Sequence, residues 1–245
     1  MSQPDDTSLE DTNAAIWQSE DIVTHWAAEA ANRERLHVPR QRFMAELLPF
    51  ADDAEFTFLD LGAGAGALSR VILERYPRST AILADFSDQM MGAGAQDLQP
   101  LADRYRYVTF DMSTSTWPDG IPVALDAIVS SLFVHHLPDE RKQSLFAEIF
   151  ERLAPGGWSL NYDPVNTDDK VVEATWQRVG ERGNPEMTRK RLNPTHEEHV
   201  RWQNHIRYII PLEQLLGCLR TAGFSGVDVY YKKLEWVVYG GARPG

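Results

Sequence analysis

Five short stretches of this chain hold residue types that do chemistry. Leu59-Asp60-Leu61-Gly62-Ala63-Gly64-Ala65-Gly66 ends an apolar run in alternating glycines and then opens a helical pattern. That is the setting in which a backbone passes close to a nucleotide-type ligand, where a Cβ would collide. Asp85 ends the next apolar run, and a carboxylate there accepts hydrogen bonds from both hydroxyls of a ribose. Ser87 is placed to cap the following helix, which leaves Asp85 free. Phe110-Asp111-Met112 ends a third run with an acid and a large apolar residue, suited to an adenine amino group and its ring. His135-His136 follow a fourth run, and Tyr162-Asp163 close a fifth, facing the same crevice. An imidazole there can serve as a general base, although a histidine pair can also begin and cap the next helix. Read as Gly62-x-Gly64-x-x-Ala67, the loop fits a loose dinucleotide fingerprint as well, so these residues alone point to an adenosine compound of either kind.

Other chemistries fit less well. The single cysteine, Cys218, excludes an intramolecular disulfide and a multi-cysteine metal site, and its apolar helical context makes it a small core residue. His196-Glu197-Glu198-His199 resembles a zinc motif with the wrong spacing, because the second histidine would have to stand where Val200 is. Asp163, Asp168 and Asp169 could hold magnesium, but no acid ends the fourth run, and no metal is expected. The net charge of −12 disfavours a nucleic-acid partner. Arg189-Lys190-Arg191 and Lys232-Lys233 read as solvated faces. No apolar run approaches the ~20 residues of a membrane span, and the polar, acidic first residues contain no apolar signal segment. The expectation is a cytoplasmic protein with no membrane partner.

These residues must be positioned by an alternating framework. Apolar runs at 56–61, 80–84, 105–110, 124–131 and 158–162 read as strands. Helical spacing fills 67–76, 87–98 and 138–153 between them, so the sheet should be mostly parallel and covered on both faces. After a helix at 211–222, closed by Gly223, the runs 227–231 and 235–239 form a hairpin. The predicted fold is α/β, a doubly wound, mostly parallel seven-stranded sheet with an antiparallel C-terminal hairpin. Residues 1–18 read as a flexible leader and 19–245 as one domain. Within it, 19–50 hold N-terminal helices, one starting at Ser19 and one at 40–48 opened by Pro39. Residues 164–208 form a helical cover insertion, with helices at 170–182 and 195–208, too long for a simple loop.

In order and spacing, these segments resemble the class I (Rossmann-like) S-adenosylmethionine-dependent methyltransferases over residues 43–244. The resemblance is carried by the glycine loop, Asp85, Asp111-Met112, Arg152-Leu153-Ala154-Pro155-Gly156-Gly157 and Leu219-Arg220-Thr221-Ala222-Gly223-Phe224. It implies S-adenosyl-L-methionine as cofactor and S-adenosyl-L-homocysteine as product. Asp60, Gly62, Gly64 and Gly66 would lie beside the methionine moiety and Asp85 at the ribose. Phe86 and Met90 would face the adenine, Asp111 and Met112 its edge, and Ser130 or Ser131 would offer a carbonyl to the cofactor's amino group. The catalytic candidates are His136, with His135 as its alternate, and Tyr162. Asp163, Arg207, Tyr208, Trp26 and Arg33 are acceptor candidates, and His37, Gln41 and His205 stand near the same region. The expected partner is a small-molecule acceptor, and a homodimer is admitted. The loop and hairpin also look like the enzymes that make carboxy-S-adenosylmethionine for tRNA wobble-uridine modification. A nicotinamide-dependent oxidoreductase and a non-catalytic cofactor-binding partner are the remaining alternatives.

Overall fold

Strands that carry apolar residues on both faces can only sit inside a sheet covered on both sides. The computed structural model, which describes residues 17–18, 21–28, 30–182 and 184–245, places them there. The order in the chain is α1 (Asp21–Ala28), α2 (Ala30–Leu36), α3 (Val38–Leu47), β1 (Thr57–Leu61), α4 (Ala67–Arg75), β2 (Thr80–Asp85), α5 (Asp88–Asp97), β3 (Tyr105–Thr109) and β4 (Leu125–Ser131). Then follow α6 (Asp139–Arg152), β5 (Leu153–Pro164), α7 (Lys170–Glu181), α8 (Pro185–Leu192), α9 (His196–Ile206), α10 (Leu212–Ala222), β6 (Ser225–Lys233) and β7 (Trp236–Ala242). Short 3₁₀ turns occupy Gln99–Leu101 and Val134–His136.

The sheet has seven strands in the order β3-β2-β1-β4-β5-β7-β6. β1 to β5 are parallel, β7 runs antiparallel between β5 and β6, and the expected fold class is therefore the observed one. Strand alternation divides the core. Leu59, Leu61, Ile82, Ala84 and Ile128 face α6 and α10 through Leu145, Ile149, Leu215 and Leu219. Phe58, Ala81, Leu83, Ala127, Val129 and Tyr162 face α3 and α4 through Met44, Leu68 and Ile72. All parallel strands end toward one edge, with the switch point at β1 and β4, where open α/β sheets bind their ligands.

Three elements differ from expectation. β5 begins at Leu153 rather than 158, because Gly156 N–H donates to Arg243 C=O at 2.9 Å and Arg243 N–H to Gly157 C=O at 2.8 Å, extending the ladder past the turn. The basic cluster at Arg189-Lys190-Arg191 lies on a helix, α8, which the sequence reading lacked. Its start is set by Pro185 in the first turn and by the Asn184 side chain, which accepts Met187 N–H at 3.3 Å. The helix expected at 40–48 begins at Val38, with Pro39 inside its first turn, and the expected cap at Ser19 lies outside the described residues. No helix of the described residues is long and apolar enough to cross a membrane.

Candidate active site

The loop after β1 is held open by backbone conformation. Gly62, Gly64 and Gly66 have φ of +68°, +52° and +76°, where side chains with a Cβ are strained. A Cβ at Gly62 would run into the Phe133 ring. Gly62 and Ala63 donate to Ala84 C=O at 2.9 and 3.1 Å, tying the loop to β2, and Tyr107 donates its hydroxyl to Gly64 C=O at 3.1 Å. Beneath the loop, Asp60 is buried and accepts the Ser69 hydroxyl at 2.7 Å. Burial pushes its carboxyl up to about 7, with the Ser69 hydroxyl and amide opposing.

Asp85 is not the free carboxylate expected. Ser87 does cap α5, accepting Met90 N–H at 3.3 Å, but Asp85 Oδ1 accepts Ser87 N–H at 2.9 Å and Oδ2 accepts Gly64 N–H at 2.7 Å. A carboxylate offers about four acceptor positions, so two remain for a diol. Burial raises its proton affinity, and the amides of Ser87, Gly64 and Phe86 oppose it. Phe86 is half-buried and Met90 is buried beside Ala65. At the end of β3, Asp111 is exposed and accepts Ser113 N–H at 3.0 Å. The Met112 side chain is packed in the main core instead of forming an open adenine face, because Phe110 and Met112 turn the same way and Asp111 the other.

At the end of β4, Ser130 donates to Leu61 C=O at 2.9 Å and Ser131 accepts from Gln41 Nε2 at 3.2 Å. Leu132 follows with φ of +62° and its amide on Tyr162 C=O at 2.7 Å. This left-handed residue, disfavoured by roughly 1–2 kcal/mol for an L side chain, turns the chain into the 3₁₀ segment that carries the histidines. His135 Nδ1 lies 2.7 Å from Asp163 Oδ1, and both side chains are buried. The same oxygen accepts His135 N–H at 3.3 Å. Burial pushes Asp163 up to about 8, while the amides of His135 and Phe133 and the charge of Lys142 pull it down. Burial, His205 and Lys142 hold the His135 imidazole well below its ordinary value. His135 Nε2 has no hydrogen-bond partner among the described residues. His136 is half-buried, its ring 3.9 Å from that of His135, and its Nδ1 has no hydrogen-bond partner among the described residues.

Two expectations are corrected by strand alternation. Tyr162 and Asp163 do not share a face: Tyr162 belongs to the α3–α4 side, where its hydroxyl lies 3.2 Å from His37 Nδ1. Burial raises that phenol, and its ring lies 5.9 Å from that of His37 and 5.8 Å from that of Trp236. Asp163 is fully buried behind His135, where it orients the imidazole instead of lining an acceptor surface. From the cover, His205 brings its ring to 5.0 Å from His135 and 6.3 Å from His136. The Arg207 guanidinium lies 5.0 Å over the Tyr208 ring, and both are half-buried at the end of the cover. The side chains of Trp26 and Arg33 lie outside the described residues.

Several positioning residues escaped sequence reasoning. Arg141 is buried and fastens the loop after β3, donating to Met112 C=O and Thr114 C=O at 2.8 Å each, with Glu148 2.8 Å away. Trp17, assigned to the leader, packs on Ala65 and Met90, accepts the Ser87 hydroxyl at its carbonyl at 2.5 Å, and stands 6.1 Å from the His136 ring. A lone tryptophan in a polar stretch was the available signal. Arg141 had none, since Asp139-Glu140-Arg141-Lys142 reads as solvated.

Comparison with known proteins agrees with this arrangement. The family described as "Methyltransferase domain" matches residues 59–159, the span from the glycine loop to β5. The match covers less than half of the chain, and over it the chain is similar to this methyltransferase family. The domain is similar to acetylserotonin O-methyltransferase of Gallus gallus, 28% identical over 126 residues, 51% of this chain and 35% of that protein. It is also similar to demethylmenaquinone methyltransferase of Thermus thermophilus, 29% identical over 99 residues, 40% of this chain and 43% of that protein. These matches span less than half the length of either relative. The fold matches an O-methyltransferase family protein from Burkholderia thailandensis with a TM-score of 0.66 at 20% identity, covering 98% of this chain and 61% of that one. The fold also matches human N-acetylserotonin methyltransferase in complex with S-adenosylmethionine with a TM-score of 0.62 at 17% identity, covering 94% of this chain and 58% of that one. The residues fit the cofactor: the left-handed glycines leave the loop without side chains, and Asp85 keeps acceptor capacity for a ribose.

Proposed function

We propose that the protein transfers the methyl group of S-adenosylmethionine to a hydroxyl of a small-molecule acceptor, with His135 as general base. The observation that carries this reading is the His135–Asp163 pair, 2.7 Å apart and buried, with Nε2 unpartnered among the described residues. Bound S-adenosylmethionine supplies an activated methyl on a sulfonium. The Asp163 carboxylate accepts Nδ1–H, which fixes the tautomer and leaves the Nε2 lone pair for the acceptor proton. The acceptor oxygen bonds the methyl carbon, the carbon–sulfur bond breaks toward sulfur, and the hydroxyl proton ends on Nε2. Holding the oxygen in line is the larger part of the task, and His205, Arg207 and Tyr208 of the cover are placed for it. His135, not His136, is the assigned base because it alone of the two faces Asp163.

The names of both relatives above carry small molecules, and one is an O-methyltransferase. The net charge of −12 supports such an acceptor over nucleic acid and suits a cytoplasmic enzyme. No described residue favours a carboxylated cofactor. The test is methyl transfer from labelled S-adenosylmethionine to a panel of small hydroxy compounds, with S-adenosylhomocysteine binding measured by calorimetry. His135→Gln should lose at least roughly 10²-fold in rate and retain cofactor affinity. Full turnover in that variant, or absence of S-adenosylhomocysteine binding in the wild type, would overturn the reading.

A further inference from the structure

The cover joins the sheet through a narrow neck. Asn166 N–H donates to Ile210 C=O at 3.2 Å, Asn166 Nδ2 donates to Ile209 C=O at 2.5 Å, and a bridge to Pro211 closes the same place. Lys142 of α6 reaches this neck from below. Its side chain is 1% exposed, a rare condition for a lysine. Nζ donates to Leu137 C=O at 2.7 Å and to Tyr208 C=O, and stands 3.2 Å from Asp139 Oδ1, which uses all three of its hydrogens. Leu137 directly follows His135-His136, and Tyr208 ends the cover three residues after His205. One ammonium thus joins the turn that carries the base to the segment that covers the acceptor.

A buried charge loses several kcal/mol of hydration, and an apolar side chain of similar volume would fill the space without that loss. Stability alone does not call for a lysine here. We propose that Lys142 is a positioning residue that couples the cover to the His135–Asp163 pair, so that acceptor enclosure and orientation of the base are one event. The inference rests on the function proposed for that pair. Its cation also disfavours protonated His135 and favours the Asp163 carboxylate. The other ionisable groups facing the pair are His136 on the same turn, His205 on α9 and Tyr239 on β7. Asp139 and Cys218 face Lys142 itself.

The test uses the full chain, both alone and with S-adenosylhomocysteine added. Histidine ring resonances are titrated from pH 4 to 9, with His135→Gln for assignment, and amide hydrogen exchange is followed through α9. Lys142→Met removes both tether and charge; Lys142→Gln keeps two carbonyl bonds and removes the charge. In Lys142→Met the His135 titration should move up by about one pH unit, and exchange in α9 should quicken about tenfold or more while β1 and β2 stay protected. In Lys142→Gln the titration should move with α9 still protected. An unmoved titration in both variants overturns the proposal, as does exchange that quickens evenly through the sheet. If Lys142→Met does not fold, Lys142→Gln decides alone by the titration. These readouts need no methyl transfer, so a wild type that binds no S-adenosylhomocysteine counts against the proposed function and not against the coupling.

Discussion

Along the β1–β2–β3 edge of the crevice, the groups offered to a ligand are set by the backbone: three left-handed glycines and a carboxylate clasped by two amides. Along the β4–β5 edge they are side chains from separate segments: His135 from a 3₁₀ turn, Asp163 from β5, His205 from α9 and Lys142 from α6. The first edge is assembled within one continuous stretch of chain and depends on atoms that are absent, the Cβ atoms of the glycines. The second depends on contacts across long sequence separations. On the function proposed above, the first edge would hold the methyl donor and the second the acceptor.

The comparison predicts that changes at the acceptor edge cost rate and changes at the cofactor edge cost affinity. Asp163→Asn should lower kcat by roughly 10²–10⁴ with S-adenosylhomocysteine affinity unchanged, measured by calorimetry beside turnover. In the wild type, kcat should rise with pH and level above about 8, because Asp163, pushed up to about 8, must lose its proton before it can accept from Nδ1–H; a flat profile from pH 6 to 9 would contradict that assignment. Arg141→Met should destabilise the fold by about 3–5 kcal/mol, since it strands Glu148 and releases the loop after β3. This side chain serves the cofactor edge from α6, so loss of turnover without loss of cofactor affinity would break the comparison.

Gly62→Ala should cost about 1–3 kcal/mol in denaturant unfolding and weaken S-adenosylhomocysteine binding. Adding Phe133→Ala should restore only a small part of the stability, because it removes the ring but keeps the Phe133 Cβ, 2.4 Å from the new one, and leaves the cost of φ. The last effect concerns Asp60, whose folded value of about 7 stands above the ordinary 3.8. The folded state therefore keeps a proton that the unfolded chain has lost. That contribution is complete below about pH 4 and disappears as pH rises through 7. Asp60→Asn should flatten the fall of thermal midpoint over this range, and an unchanged slope would remove the assignment.

The glycine loop after β1, the acids at the strand ends and the Ser87 cap were legible in the sequence because their determinants are local. Even there, the second role of Asp85, as an acceptor for the Gly64 amide, was hidden in a contact between loops. The seven strands and their order of appearance followed from apolar runs, whereas α8 was missed because its basic surface masked the Asn184-Pro185 start. At the acceptor edge, adjacent residues had to be told apart by facing. His135 and His136 are equivalent until β5 supplies Asp163, and period-two alternation sends Tyr162 to the opposite side. Arg141 and Lys142 stand in a charged run that resembles any solvated helix start, and only their distant carbonyl partners reveal them.

The neck at Asn166 has a consequence for descent as well as for catalysis. The cover departs from β5 and returns to α10 at one point, fastened by main-chain and side-chain bonds to Ile209 and Ile210. A segment whose ends already meet can change in length at little cost, because closure entropy grows only with the logarithm of length. The segment can therefore change in length without moving a strand or disturbing the glycine loop, and on the function proposed above such a change would alter the acceptor and spare the methyl donor.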